Sequence, residues 1–350
     1  MTNYIKIYCF IVIFIFNFTF YLYSQTENVK FDRISIEQGL SQASVYTIIQ
    51  DKTGFIWFGT TDGLNKFDGY NFTLYKHKSK NQNSLSNSRI TSICESSDVD
   101  ADVIWIGTID GLNRFEPVYK KFTRYFHDPE NPNSLSNNQI NTIYEDPSGK
   151  IWVGTAGGLS LLIQSDSLNV EFVNFTFDSE DPTSLSNNMV YSIYAEPDTT
   201  ESVLWIGTTD GLNKLILPAD YFNAETKVNN LKYTQAKFIR YLNEPGNPQS
   251  ISSNDVRAIY VNPDENENVV WIGTYGGGLN KLVKDKDRFI RYKYNPGNYN
   301  SLSDNSILSI HQDIAGNIWI GTFGGGLNRF DPKLEIFTHY KRERDLIHAA

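Results

Sequence analysis

Cysteine is almost absent from this chain of 350 residues. There are two. Cys9 lies in an apolar leader, so the remainder holds Cys94 alone and no internal disulfide can form. Stability must come from a packed core, and a chain that is 40% hydrophobic and 14% aromatic can build one. Cys94 sits in an apolar strand pattern with no base nearby, and reads as a small buried residue rather than a nucleophile. Positive charge is scarce: 31 Lys and Arg stand against 40 Asp and Glu, a formal charge of -9. That balance argues against a nucleic-acid or anionic-membrane surface. Histidine is scarce too. His77, His127, His311, His339 and His348 follow no metal-ligand spacing. No Ser-His-Asp set can be assembled, and carboxylates are too evenly spread to single out a pair. The sequence therefore calls for no metal and no cofactor. Helical periodicity is missing, and so is any long apolar run outside residues 7–23.

That run defines a leader. Lys6 is its only charge, and Ser24 is a small residue just before polar Gln25, Thr26, Glu27 and Asn28. Residues 1–24 read as a secretory signal peptide, cleaved after Ser24. The rival, an uncleaved membrane anchor, is disfavoured because the run is short of the ~20 residues a span needs. Residues 25–350 form the mature chain.

What is there in quantity is repetition. All six tryptophans (Trp57, Trp105, Trp152, Trp205, Trp271 and Trp319) stand in one register, as in Ile104-Trp105-Ile106-Gly107-Thr108-Ile109-Asp110-Gly111-Leu112-Asn113. Each repeat holds four short strand patterns. Taking the third repeat, these are Ile140-x-x-Ile143, the Trp152 strand, the strand from Leu159 and the aromatic Phe172 to Phe175. From the aromatic Phe to the Leu of Ser-Leu-Ser is 13 residues, as between Phe122 and Leu135. From that Leu to the next Val or Ile is 5, as between Leu40 and Val45. The turn before each Trp and the link after Gly-Leu vary in length. Repeats of this size with four strands predict an all-β fold, a β-propeller of four-stranded antiparallel blades. Ile-x-x-Ile is assigned as the inner strand and Phe-x-x-Tyr as the outer. Six blades carry a Trp, either as the whole ring or as part of a seven-bladed one. In a meander, the two constant links share one face and the two variable links the other.

The ends add a detail. Phe31, followed by Gly39-Leu40-Ser41, matches an outer strand and connector, and predicts a lone strand that closes the ring on the last blade. The tail after Tyr340 lacks the Ser-Leu-Ser of the other connectors, and reads as a truncation at a repeat junction.

Motifs within the repeat favour structure over chemistry. Six identical Trp registers suit blade-to-blade packing better than ligand platforms, since a Trp buries ~150–250 Å². Asp62-Gly63, Asp110-Gly111 and Asp210-Gly211 are hairpin turns. Gly276-Gly277-Gly278 and Gly324-Gly325-Gly326 lack the helix and Lys of a phosphate loop. Asp51, Asp146 and Asp313 open Asp-x-x-Gly turns that lack the acid pattern of a calcium loop. Tyr275 and Phe323 replace Thr, Ile or Ala at the first turn position of the last two repeats, each beside an extra glycine. They either project from one face or pack on a neighbouring blade. The insertion 217–237 reads equally as a partner-binding arm or a plain surface hairpin.

The pattern Asp-x-x-Gly-x-Ile-Trp-Ile-Gly-Thr-x-x-Gly-Gly-Leu, followed at 146–159 and 313–327, resembles the two-component regulator propeller repeat. The resemblance runs over 31–340. It implies the periplasmic sensor region of a Bacteroidetes-type hybrid two-component system. Such sensors are dimers with two seven-bladed propellers, a β-sandwich, a membrane span and a kinase, and often take oligosaccharides as ligands. This chain holds no second propeller, kinase or second span, so any phosphotransfer would lie elsewhere. The expectation is an exported, non-enzymatic ligand sensor, membrane-bound only through its leader or a further C-terminal span. Its ligand face is placed at the channel mouth, around Asp62, Asp110, Asp210, Tyr275 and Phe323. Rival readings are a secreted propeller lyase acting on a polysaccharide or an antibiotic, which needs a His or Tyr base at that mouth, and a passive interaction scaffold.

Overall fold

Thr60 and Gly63 pair across a two-residue turn in the central hairpin of the first blade. Gly63, Gly111 and Gly211 take φ of +117°, +108° and +117°, a region that a side chain disfavours. The Thr60 hydroxyl donates to the Gly63 carbonyl at 3.0 Å and accepts the Asp62 amide at 3.0 Å, locking the turn. In the computed structural model, residues 29–97, 102–164, 170–196, 202–217, 236–262 and 269–341 are described. The leader, the core of the insertion and the tail lie outside them.

Blade 1 comprises Val45–Gln50, Ile56–Thr60, Gly63–Phe67 and Phe72–Tyr75, hydrogen-bonded in that order and antiparallel throughout. Five more four-stranded sheets follow with the same order. They span residues 90–125 (blade 2), 140–175 (blade 3), 190–241 (blade 4), 256–292 (blade 5) and 307–340 (blade 6). The first strand of each blade touches the first strand of the next, so these strands converge on a common axis. The fold is a β-propeller of six blades with almost no helix. The inner-to-outer assignment made from the repeat holds in every blade.

The repeat's invariant residues hold the blades together. Trp152 is fully buried, and the core behind it combines Leu159, Leu161 and Phe175 of blade 3 with Val190, Ile193, Leu204 and Ile206 of blade 4. Equivalent cores join blades 1 and 2, 2 and 3, 4 and 5, and 5 and 6. The Asp-x-x-Gly turns complete this packing. Asp51, Asp146 and Asp313 each accept the indole N–H of their Trp, at 2.7, 2.8 and 2.8 Å, and Glu196 serves Trp205 at 2.7 Å. These turns are tryptophan locks, with their carboxylates already occupied.

The 13-residue connector is constant because it is stapled at several points. The Ser86 amide donates to Asn113 Oδ1 (2.8 Å), Asn113 Nδ2 donates to Ser86 Oγ (2.9 Å), and Ser86 Oγ meets Thr108 Oγ1 (3.0 Å). All three residues are buried. The Ser, Asn and Thr of Ser-Leu-Ser, Gly-Leu-Asn and Gly-Thr are thus one network, repeated from Ser41 with Asn65 to Ser303 with Asn328. From the outer strand, Arg124, Arg240 and Arg291 reach back to connector carbonyls at 2.7–2.9 Å.

The expected ring-closing strand at Phe31 is not formed. Residues 29–35 carry no strand, because blade 6 already has its own outer strand, Ile336–Tyr340. What remains of the expectation is one contact: the Phe31 ring packs edge-on against Tyr340 at 5.4 Å.

Candidate functional site

The hairpin turns and the connectors share one face. Gly63, Gly111, Gly211 and Gly278 donate their amides to Ser88, Asn138, Asn254 and Asn305 of the following connector, all at 2.7–2.8 Å. In blades 2 to 6 the turn also bonds the residue just before its own inner strand, as Tyr275 N does to Asp255 O (2.8 Å) and Phe323 N to Ser306 O (2.8 Å). First-turn side chains therefore stand over the inner-strand starts, where the blades converge.

Tyr275 and Phe323 meet there, edge to face, with ring centroids 6.0 Å apart. They are 40% and 69% exposed, so the pair is an open aromatic surface bridging blades 5 and 6. The extra glycine of these turns lets the loop lie flat beneath the aromatic. A Cβ at Gly277 would stand 2.5 Å from Ser252 Oγ and 2.6 Å from Thr274 Oγ1. Thr274 Oγ1 reaches one residue further than usual, donating to Gly278 O at 2.9 Å.

Two residues that the repeat pattern did not single out extend this surface. Arg257 lies over the Tyr191 ring, 3.7 Å from its centroid, and 5.6 Å from the Tyr275 ring. Asp255 holds the guanidinium through two contacts of 2.6 and 2.8 Å. Burial opposes the charge on Arg257, but the Asp255 pair outweighs it and raises the guanidinium above its ordinary pKa. Tyr191, Arg257, Tyr275 and Phe323 thus form one run across blades 4 to 6. The signal that could have found Tyr191 and Arg257 is variability. The residue after the first Val or Ile of each inner strand is Tyr46, Thr91, Asn141, Tyr191, Arg257 or Leu308, in a frame otherwise constant.

The three aspartates stay on separate blades. Asp62 is paired with Lys76 Nζ at 2.7 Å. Asp210 accepts Asn254 Nδ2 at 2.9 Å. Asp110 is exposed, with its amide on Thr108 Oγ1. The aromatic residues are the members of the expected set that the fold brings together. His77 and His127 face connector carbonyls, through Nδ1 to Leu85 O and Leu135 O, and His339 faces Ser301 O. Among the described residues no group of three or more His, Cys, Asp or Glu could hold a metal ion. Cys94 is half-buried, its thiol pushed up to about 12 by burial, with the Glu145 charge adding. An open cleft of about 650 Å³ lies at the rim of blade 2 beside Asn83, Lys121, Phe122 and Arg124. Arg124 and Asn83 are already spent there on the connector staple.

The model of the two component regulator propeller family matches three segments of this chain, residues 39–62, 134–157 and 301–324. Histidine kinase P4 of Formosa agariphila is 46% identical over 65 residues, which are 19% of this chain and 5% of the kinase. PorZ, a surface component of the type-IX secretion system of Porphyromonas gingivalis, superposes with a TM-score of 0.59 at 17% identity, covering 82% of this chain and 38% of that one. Virginiamycin B lyase of Staphylococcus aureus gives 0.57 at 13%, covering 85% and 84%. These two likenesses are of fold alone. The extracellular domain of a putative hybrid two component system from B. thetaiotaomicron matches at 25% identity over 90% of this chain, with a TM-score of 0.41. This chain spans about half of that domain, 55%.

Proposed function

We propose that this chain is the exported, ligand-sensing propeller of a two-component signalling protein. The observation that carries the reading is the two component regulator propeller repeat itself, matched in three blades and supported by the segment shared with a histidine kinase. The leader supports export. In the intact protein the propeller would pair with a second copy, and ligand binding would bias that assembly and pass across the membrane.

The ligand class that the mouth suits is a carbohydrate fragment. Tyr191, Tyr275 and Phe323 offer flat apolar faces, on which the C–H faces of a sugar ring can stack. The Asp255–Arg257 pair beside them supplies hydrogen-bonding groups for hydroxyls. Asp62, Asp110 and Asp210 would contribute further acceptors around the rim.

Titrating the purified chain against an oligosaccharide panel, while following tryptophan fluorescence and new reducing ends, tests this. Saturable binding without cleavage is expected. Release of reducing ends without added cofactor would replace the sensor with a lyase. Absence of binding across a broad panel would favour a scaffold.

A further inference from the structure

The connectors that link the blades are alike in length and unlike in charge. Between the last aromatic of an outer strand and the next Ser-Leu-Ser or Ser-Ile-Ser stand residues 76–83, 126–133, 176–183, 242–249 and 293–300. The second carries Asp128 and Glu130, the third Asp178, Glu180 and Asp181, and the fourth Glu244. The first holds Lys76, Lys78 and Lys80 and no acid, in a chain whose formal charge is -9. It is also the one of the five without proline: Gln82 stands where Pro132, Pro182 and Pro248 stand.

This departure opens a gap at the rim of blade 2. Phe172, Phe238, Phe289 and Phe337 each donate their amide to a main-chain carbonyl of the preceding connector, at 2.7–3.0 Å. Phe122 donates instead to the Asn83 side chain at 2.7 Å, and Asn83 Nδ2 donates to Lys120 O at 3.2 Å. The connector's main chain thus stands off from this outer strand by an amide side chain. The cleft of about 650 Å³ lies there, lined by Gln82, Lys121, Thr123, Arg124 and Phe126 among others, and ligand sites are commonly of that size. Cations surround it. Lys78 and Lys80 are exposed on the connector, and Lys120 and Lys121 at the start of the strand. Lys76 is spent on Asp62. Among the described residues no carboxylate pairs with Lys78, Lys80 or Lys120, and Lys121 comes only within 3.8 Å of Glu116, which Arg114 holds at 2.9 Å. Arg124 keeps its charge at the wall while its Nε and Nη2 hold the connector. The Phe126 ring is 43% exposed.

We infer that this cleft is a second binding site, apart from the mouth, for a short acidic sugar chain. Carboxylate or sulfate groups on the chain pair with Lys80 and Lys121, the Gln82 amide serves hydroxyls, and the open Phe126 ring takes the C–H face of one sugar. The flanking charge limits the size of the partner. The next two connectors on the same face carry Asp128, Glu130, Asp178, Glu180 and Asp181. An anionic bilayer or a nucleic-acid duplex broad enough to cover the rim would lie against those acids, whereas a short chain held in the cleft avoids them.

Isothermal titration of the intact chain with oligogalacturonate and with dextran sulfate tests this and tells carboxylate from sulfate. Saturable binding of at least one is expected, weakening as salt rises, with no competition from neutral maltooligosaccharide. In the double variant Lys80→Glu, Lys121→Glu the Kd should rise at least about tenfold, with the melting temperature unchanged because both side chains are exposed. Phe126→Ala should weaken the same ligand. Phe323→Ala should leave it unchanged, so that failure here and failure of the mouth as a carbohydrate site are told apart. Binding of neither polymer overturns the inference, and so does binding that the double variant leaves intact. Loss of binding in Phe323→Ala overturns it too, since the ligand then sits at the mouth. Polyglutamate or phosphatidylglycerol vesicles held through the same lysines as tightly as the sugar would also overturn it, because the site then reads charge alone.

Discussion

Trp152 and Trp319 occupy the same register and differ only in what covers them. Trp152 is buried against blade 4, whereas Trp319 stacks on Tyr340 and stays half-open. Trp152→Ala should cost roughly 3–5 kcal/mol, and Trp319→Ala distinctly less, as read from urea midpoints. Asn113 is a polar counterpart. Its amide and carbonyl serve Ser86 and the Ile106 carbonyl in a sealed site. Asn113→Ala leaves those groups unpaired and should cost about 1–3 kcal/mol, measurable in the same experiment. Residues of this kind were legible in the sequence, because a packing or hydrogen-bonding need that recurs per blade recurs in the chain. Tyr191 and Arg257 were not, since each occurs once at a position where every repeat differs.

Among the elements, the turns before Trp57 and Trp319 carry a pH dependence. Burial works against the charge of Asp51, but hydrogen bonds from Thr53, the Trp57 indole and the Phe55 amide outweigh it and depress its pKa. Asp313 is depressed in the same way, with burial opposed by bonds from Trp319 and Asn317. A depressed carboxylate stabilises the fold above its unfolded value of about 4. That contribution fades as the pH falls through the unfolded value and is gone below the folded one. Asp51→Asn should therefore lower stability at pH 7 and do so progressively less as the pH falls below about 4, a trend that acid titration of tryptophan fluorescence resolves. The hairpin turns are the other telling elements. Their glycines were readable from Asp-Gly, whereas the outcome for Tyr275 and Phe323, a shared surface instead of two separate projections, needed neighbouring blades in place.

At the scale of the whole molecule, the ligand reading makes its own demand. Phe323→Ala and Tyr275→Ala should each weaken binding of a recognised oligosaccharide by about tenfold, with the melting temperature nearly unchanged because both rings are exposed. Asp110→Ala should do less if stacking dominates; isothermal titration ranks the three. The blade, its strand order, its turns and the facing of the constant links were all determined by the sequence itself. Each depends on contacts within one repeat or with the next, and those leave a periodic trace. The tertiary structure alone decided how the repeats meet across the ring. It placed Phe31 against Tyr340 without a strand, left Ile48 and Trp319 uncovered, and gathered Tyr191, Arg257, Tyr275 and Phe323 from three blades into one surface. Contacts between residues this far apart in the chain carry no period, so only the curvature of the assembled blades could settle them.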